Sequence, residues 1–153
     1  RDSGTKYYVY GGGGKTFMVD SFNRENCVIV SRFGMSEECV RRVEGKFFLN
    51  DSGLSVETKD SKLIIQEYID WFLFSKTFDI YNLGRGAAQK NLDVEKFKSM
   101  KIPIYSKNKQ EEIVTRINKI TKNIEHIVKN KEIEISEYTK LRKSVLTNEF
   151  INE

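Results

Sequence analysis

The chain has 153 residues, 39% of them hydrophobic, which is enough for one compact domain with an extension but not for two independent domains. Its net charge is only +4, because 22 acidic residues offset 26 basic ones, so overall charge argues weakly for a nucleic-acid partner. No apolar stretch approaches the roughly 20 residues that span a bilayer, and no signal peptide is visible, so we expect a cytoplasmic protein without a membrane partner.

Short strands and helices are predicted up to residue 106. Runs rich in aromatic and β-branched residues, bounded by Gly, Asn, Asp and Ser, are typical of strands and occur at Tyr7–Tyr10, Cys27–Val30, Lys46–Leu49 and Leu54–Thr58. Asn50–Gly53 is a predicted turn. Leu63–Phe74 has apolar residues at helical spacing, which predicts a helix packed on the sheet. Asp93 can cap a short helix that runs to Phe97, and Pro103 keeps the next segment from remaining helical. The sequence therefore predicts a mixed α/β domain of the α+β class over residues 1–106.

A long C-terminal helix is predicted over residues 107–153, because no Pro or Gly occurs after Pro103. Asn108 and Glu111 are predicted to cap its start. Apolar residues recur at steps of four and three on one seam, as in a coiled coil. The seam residues are Ile113, Ile117, Ile120, Ile124, Ile127, Tyr138, Leu141 and Val145. The step from Ile127 to Tyr138 is interpreted as a heptad with a four-residue stutter. At ~1.5 Å per residue the helix would be roughly 65 Å long, so we expect a second copy to bury its seam in a homodimer.

A Gly-rich segment, Tyr10–Thr16, invites a nucleotide-binding interpretation, because phosphate-binding loops combine glycines with a lysine. That motif requires a Gly where this chain has Val9, and it requires a helix where Phe17–Asp20 looks extended. The preferred interpretation is a hairpin or loop in which glycine allows close backbone approach.

Two carboxylates and a lysine allow a second catalytic interpretation. Asp51, Glu57 and Lys59 could form the metal-binding core of a nuclease, although their separation is too short for the usual strand geometry. Cys27 and Cys39, with a single histidine elsewhere, do not provide a zinc site and are predicted to be reduced thiols. No catalytic residue, metal or cofactor is therefore assigned.

Basic and amide side chains in Gly-rich loops are the remaining chemical feature. Arginine can bind guanine through two hydrogen bonds, Gln and Asn can bind adenine in the same way, and lysine suits phosphates. The residues predicted to contact DNA are Lys15, Thr16, Arg32, Arg85, Gln89, Lys90 and Asn91. For each residue alone, an ordinary exposed loop position is an equally good interpretation, but the grouping over residues 85–91 favours binding.

Taken together, these motifs resemble one family. The segments that carry the resemblance are Tyr10–Thr16, Val28–Gly34, Phe47–Asp51, Gly84–Leu92, Ile102–Ile104 and Gln110–Ile113. They look like a target recognition domain that passes into the conserved helix of a type I restriction-modification specificity subunit. The chain has Pro103–Ser106 and Lys109-Gln110 where the family often has Pro-Leu-Pro-Pro and Glu-Gln, which alters the connector but removes no chemical group.

The resemblance implies a function. Typical members contain two recognition domains and two helices, whereas this chain has one of each and so resembles a half-subunit. Two copies would then pair their helices antiparallel, place two recognition domains on double-stranded DNA, and act as a non-catalytic platform for methyltransferase and restriction subunits. Two alternatives stay open, namely a small Mg²⁺-dependent nuclease and a dimeric scaffold that binds protein.

Overall fold

The computed structural model describes residues 4–151 of the chain. A curled five-stranded sheet and a two-stranded hairpin are combined with four helices in this range. The strands are β1 (Tyr7–Gly11), β2 (Gly14–Val19), β3 (Arg24–Ser31), β4 (Val40–Leu49), β5 (Gly53–Ser55), β6 (Gly84–Arg85) and β7 (Asn91–Leu92). The helices are α1 (Gln66–Ser75), α2 (Thr77–Asn82), α3 (Val94–Lys98) and α4 (Lys107–Ile151). The predicted α+β class with a long C-terminal helix is confirmed.

Strand β4 organises the sheet, whose order is β2-β1-β4-β3-β5. β3 pairs antiparallel with most of β4, and β1 pairs parallel with its last residues. The run Val28–Val30 of β3 is buried without interruption, whereas β4 alternates between buried residues such as Val43 and exposed ones such as Glu44. Phe47 and Ile29 are each 1% exposed and belong to one buried hydrophobic cluster, which forms the centre of the core.

The predicted strands exist, but their boundaries differ, and the strand predicted at Cys27–Val30 begins at Arg24. The strand predicted at Lys46–Leu49 begins earlier, at Val40. The prediction missed its first residues because arginines and a glutamate interrupt the apolar pattern there. The strand predicted at Leu54–Thr58 ends at Ser55, because the next residues turn away to bond Gln66. The strand pair β6–β7 and the helix α2 were not predicted, since elements this short show no periodicity.

Two helix starts also differ from the prediction. The helix predicted at Leu63–Phe74 begins only at Gln66, because the N–H groups of Leu63 and Ile64 bond back to the carbonyl of Asp60 in a turn. Helix α4 begins at Lys107, so Asn108 lies inside its first turn and the capping role predicted for it was wrong.

One carboxyl group of α1 is buried. Asp70 is 4% exposed, accepts a 2.9 Å hydrogen bond from Gln66 Nε2, and lies 3.4 Å from Arg42 Nη2 of β4. Burial raises the pKa of Asp70, and the Gln66 bond and the charge of Arg42 oppose this rise only in part. Gln66 also bonds to Val56 and Thr58, so one side chain holds both the carboxyl group and the segment after β5.

Gln110 is completely buried in the first turn of α4. Its Oε1 accepts a 2.9 Å hydrogen bond from the N–H of Ile65, and its Nε2 donates to the carbonyls of Leu63 at 3.0 Å and Tyr105 at 2.9 Å. Ile65 precedes α1 and offers no side-chain cap of its own. The Gln110 amide therefore satisfies backbone groups that three separate positions would otherwise leave unpaired.

The chain divides into two compact units after Glu111. Within the second unit, the seam of α4 is largely exposed, with Ile113 and Ile117 half-buried and the others exposed: Ile120, Ile124, Ile127, Tyr138, Leu141 and Val145. The eleven-residue step from Ile127 to Tyr138 consists of steps of four, three and four, so the heptad continues and the predicted stutter was wrong.

Among residues 4–151, no helix combines the length and the apolar character that a membrane crossing demands.

Replacing Gln110 should destabilise the fold. Gln110→Ala leaves a buried N–H and two buried carbonyls without this partner, so we expect the free energy of unfolding to fall by roughly 3 kcal/mol, as measured by urea denaturation. The control is Glu111→Ala at the neighbouring exposed position, which should change stability by less than about 0.5 kcal/mol. Equal stability of the two variants would contradict the role assigned to Gln110.

Asp70 should make stability depend on pH. Because its pKa is raised in the folded state above the ordinary 3.8, its contribution is most favourable below that value and is lost as the pH rises through the raised folded pKa. Asp70→Asn keeps the acceptor for Gln66 and removes the charge. We expect the melting temperature of Asp70→Asn to rise relative to that of the original protein as the pH increases from the ordinary 3.8 through the raised folded pKa. A flat difference, equal to that of the exposed control Asp51→Asn, would refute this assignment.

Candidate nucleic-acid interface

Four loops meet around the backbone of Arg32, and we call them the loop cluster. They are the β1–β2 turn (Gly11–Gly14), the segment after β3 (Arg32–Met35), the turn before β5 (Asn50–Ser52) and the β6–β7 hairpin (Gly84–Leu92). The N–H of Arg32 donates to the carbonyl of Ser52, and the carbonyl of Arg32 accepts from the N–H of Leu92, both at 2.8 Å. Main-chain bonds thus join loops that lie far apart in sequence.

The β1–β2 turn is held against its neighbours by close backbone approach. A Cβ added at Gly12 would lie 1.9 Å from the carbonyl oxygen of Phe33, so only glycine fits there. Gly14 has a φ of +97°, and β2 follows it directly. The hydroxyl of Ser31 donates to the Gly12 carbonyl at 2.9 Å. The interpretation of Tyr10–Thr16 as a hairpin with close backbone approach is confirmed, because a strand follows the glycines instead of the helix of a phosphate-binding loop.

An open concavity of about 520 Å³ lies in the loop cluster, and Arg32, Arg85 and Asn91 are among its lining residues. The guanidinium of Arg85 forms an ion pair with Asp93, whose side chain is only 9% exposed. Asp93 also caps α3 by accepting a 3.3 Å hydrogen bond from the N–H of Lys96. The predicted cap is therefore confirmed, and the same carboxylate orients an arginine that is otherwise exposed to solvent.

The two predicted amide side chains lie beside the segment after β3. Asn91 Oδ1 accepts a 3.2 Å hydrogen bond from the N–H of Gly34. A Cβ added at Gly34 would come 3.3 Å from Gln89 Nε2, which places the Gln89 amide next to the same glycine. Both amides are on exposed residues. This region therefore presents two amide side chains close to the concavity that contains Arg32 and Arg85.

The two predicted lysines each lie over an aromatic ring. Lys15 Nζ is 3.6 Å from the centroid of the Tyr8 ring, and Lys90 Nζ is 3.6 Å from that of Tyr81. Such contacts orient an ammonium group without neutralising its charge. The Thr16 hydroxyl donates to the carbonyl of Val9 at 2.9 Å across the β1–β2 pair, which is a structural role. Lys15 and Thr16 belong to the outermost strand and do not line the concavity.

Several residues of this region were not predicted as part of a site. Arg41 donates from Nη1 to the carbonyl of Gly12 at 3.0 Å and so adds a positive charge beside the β1–β2 turn. Phe33 and Asp93 line the concavity. Arg41 was missed because the sequence pattern placed the start of β4 after it. The position of Asp93 beside Arg85 depends on the pairing of β6 with β7, which the sequence pattern does not show.

Two residues of the nuclease alternative, Glu57 and Asp51, are not brought together in a metal site. Glu57 lies 3.4 Å from Arg24 Nε and accepts from the hydroxyl of Ser55, while Asp51 is exposed in the turn before β5. Across the described residues 4–151, no three His, Cys, Asp or Glu side chains are grouped so as to hold a metal ion. Both Cys27 and Cys39 are free thiols.

Comparisons with known proteins agree with this architecture. The profile of the family described as "Type I restriction modification DNA specificity domain" matches residues 22–136. The chain is also similar to the crystal structure of a type I restriction-modification system S subunit from M. genitalium, with a TM-score of 0.70 and 23% sequence identity. The match covers 82% of this chain and 34% of that one, so this chain spans about a third of the length of its structural relative. No curated protein matches significantly.

The structural similarity shows a common fold, and the family profile extends from just before β3 into α4. Because the profile matches well over half of the sequence, the resemblance drawn from the motifs is confirmed: the chain belongs to the family of type I restriction modification DNA specificity domains.

Proposed function

We propose that this chain recognises a DNA sequence as the non-catalytic specificity component of a type I restriction-modification system in the cytoplasm. The observation that carries the proposal is the concavity of the loop cluster, where Arg32, Arg85 and Asn91 come together in a member of this family. Arginine and amide side chains provide the paired hydrogen bonds that distinguish bases in the major groove of double-stranded DNA.

Each predicted DNA-binding residue takes a role that follows from its position. Arg85 and Gln89 are the proposed base-reading residues, with Arg32 and Asn91 beside them. Lys15 and Lys90 are better suited to phosphates, because an ammonium group is a point charge without the fixed fork of a guanidinium. Thr16 supports β2 and can contribute only from that strand. Arg41 adds charge next to the β1–β2 turn.

The organisation proposed for the molecule assigns residues 1–106 to recognition and residues 107–153 to dimerisation. The exposed seam of α4 supports the second part, because large apolar side chains at positions a and d of a heptad are stable in water only when another helix covers them. We propose a homodimer that carries two recognition domains and docks methyltransferase and restriction subunits, with no cofactor of its own.

Base reading can be separated from charge by substitutions at Arg85. Selection from a random pool of double-stranded DNA would first give the preferred sequence. Arg85→Ala should then reduce affinity for that sequence by roughly 1–3 kcal/mol and relax the preference at one base pair. Arg85→Lys should lose the same preference while keeping most of its affinity for random DNA, because it retains the charge but not the fork.

The control for Arg85 is a residue assigned to phosphate. Lys15→Ala should weaken binding to all DNA sequences similarly. It should also reduce the slope of log affinity against log salt concentration by about one, because one fewer counterion is released. If Arg85→Ala and Gln89→Ala both leave preference and affinity unchanged, then the concavity does not read DNA and the proposed reading surface is wrong.

Dimerisation can be tested on the exposed part of the seam. Ile124→Lys together with Ile127→Lys places two charges where a partner helix would pack, so we expect monomers at micromolar concentration in sedimentation experiments. Ile133→Lys is a matched control, because Ile133 is similarly exposed but lies off the seam, and it should remain dimeric. Sedimentation of the unaltered chain as a monomer would argue against a homodimer.

A further inference from the structure

Two charged residues interrupt the apolar seam of α4 at consecutive core positions. With heptad positions lettered a to g and Ile124 at position a, Ile127 is at d, Lys131 is at the next a and Glu134 is at the next d. Lys131 Nζ and Glu134 Oε2 form a 2.6 Å ion pair along the helix, which confirms that both residues lie on the same side of it. The apolar pattern resumes at Tyr138, so these charges occupy the middle of the seam.

We propose that Lys131 and Glu134 set the register in which α4 pairs with a second copy of itself, in the antiparallel direction that the family resemblance implies. The two helices run antiparallel, with Lys131 of each copy opposite Glu134 of the other. This inference rests on the homodimer of the proposed function and adds its geometry. The occupant of the exposed seam is thus a second copy of this chain, selected by charge complementarity.

The geometry follows from the heptad. In an antiparallel pair the reversed direction places each a residue of one helix opposite a d residue of the other, so a lysine at a and a glutamate at d can meet. Each copy contributes one lysine and one glutamate, which gives two adjacent charged layers of opposite sign. Residues equally distant from this centre then face each other. The resulting apolar layers join Ile127 to Tyr138, Ile124 to Leu141, and Ile120 to Val145 of the second copy.

A second observation fits the same register. Val128 and Ile135 are both large, apolar and about half exposed or more, yet neither is at an a or d position. Both are at position e, and in an antiparallel pair the e positions of the two helices lie along the same flank. In the proposed register Val128 of one copy lies beside Ile135 of the other. This contact covers the charged layers on one side and limits their access to water, which strengthens the attraction between the charges.

Other arrangements leave the charges in unfavourable places. In a parallel pair in register, Lys131 would face Lys131 of the second copy and Glu134 would face Glu134, which places like charges in the core. An antiparallel pair shifted by one heptad would place Lys131 opposite Ile127 and Glu134 opposite Ile124, so that each charge is buried against an apolar side chain. Of these arrangements, only the proposed register places each charged seam residue opposite a residue of the other sign in the second helix.

The test exchanges the two charges within the full chain. The variant Lys131→Glu with Glu134→Lys restores complementary layers when it pairs with itself antiparallel, but it places like charges opposite each other when it pairs with the original chain. Equimolar amounts of the isotopically labelled variant and the unlabelled original chain are mixed, allowed to exchange, and weighed by native mass spectrometry. We expect the two homodimers, with the mixed dimer roughly tenfold or more below its statistical share.

A charge reversal outside the seam provides the control. Lys129→Glu changes the net charge by the same amount as a single reversal at Lys131 but lies at the outward position f, so it should form mixed dimers with the original chain in the statistical proportion. Lys131→Glu alone should weaken self-association by roughly tenfold or more, because it leaves only acidic residues in the two central layers.

Every other outcome of the exchange overturns the inference. A statistical share of mixed dimers would mean that the two charges do not meet in the core, and an excess of mixed dimers would mean a parallel pair. Monomers of the original chain would remove the homodimer altogether. Selection of a DNA sequence does not depend on the register, so retained selection alongside any of these results would overturn this inference and leave DNA recognition standing.

Discussion

The two main-chain hydrogen bonds of Arg32 are the interaction on which the candidate interface depends. They join the turn before β5 and the β6–β7 hairpin to the end of β3, so residues from distant parts of the sequence come to line one concavity. Since the bonds lie in the backbone, they are indifferent to the Arg32 side chain, which remains available at the surface. The sheet therefore contributes to function mainly by holding short irregular segments in a constant arrangement.

Positive charge in the loop cluster and on the neighbouring strand β2 is oriented in two different ways. Arg85 is paired with a nearly buried carboxylate, which restrains the direction of the guanidinium but also competes with any base or phosphate for it. Lys15 and Lys90 lie over tyrosine rings, which restrain the ammonium groups while leaving their charge uncompensated. DNA binding by Arg85 would therefore include a change in its partnership with Asp93, whereas binding by the lysines would not.

The parts of the structure that were predicted correctly are those with long or strongly patterned signatures. Helix α4 was recognisable from its apolar repeat, and the core of β3 from an unbroken apolar run. Boundaries failed where a single bond outweighed the pattern, as where Thr58 leaves the strand direction to bond Gln66. Gln110 belongs to a recognisable sequence motif, but its three backbone partners depend on tertiary packing that no local pattern contains.

The candidate site was predictable as residue types but not as a constellation. The arginine and amide residues at 85–91 and Arg32 are predictable from the sequence, because their chemistry suits base edges. The structure places Arg32, Arg85 and Asn91 together and leaves Thr16 in a strand contact. Arg41 and Asp93 were missed as contributors, because their roles arise from the β1–β2 turn and from the β6–β7 pairing rather than from neighbours in sequence.

The backbone bonding of the loop cluster also bears on how such a protein can change over time. The bonds at Arg32, Met35, Lys90 and Leu92 use N–H and carbonyl groups that nearly every amino acid possesses, proline being the exception at the donors. Under the proposed function, replacement of the exposed Gln89 side chain would alter the contacts offered to DNA without loosening the loops. Under the proposed function, a domain built in this way can acquire a new target through single substitutions, and the protein stays folded after each one.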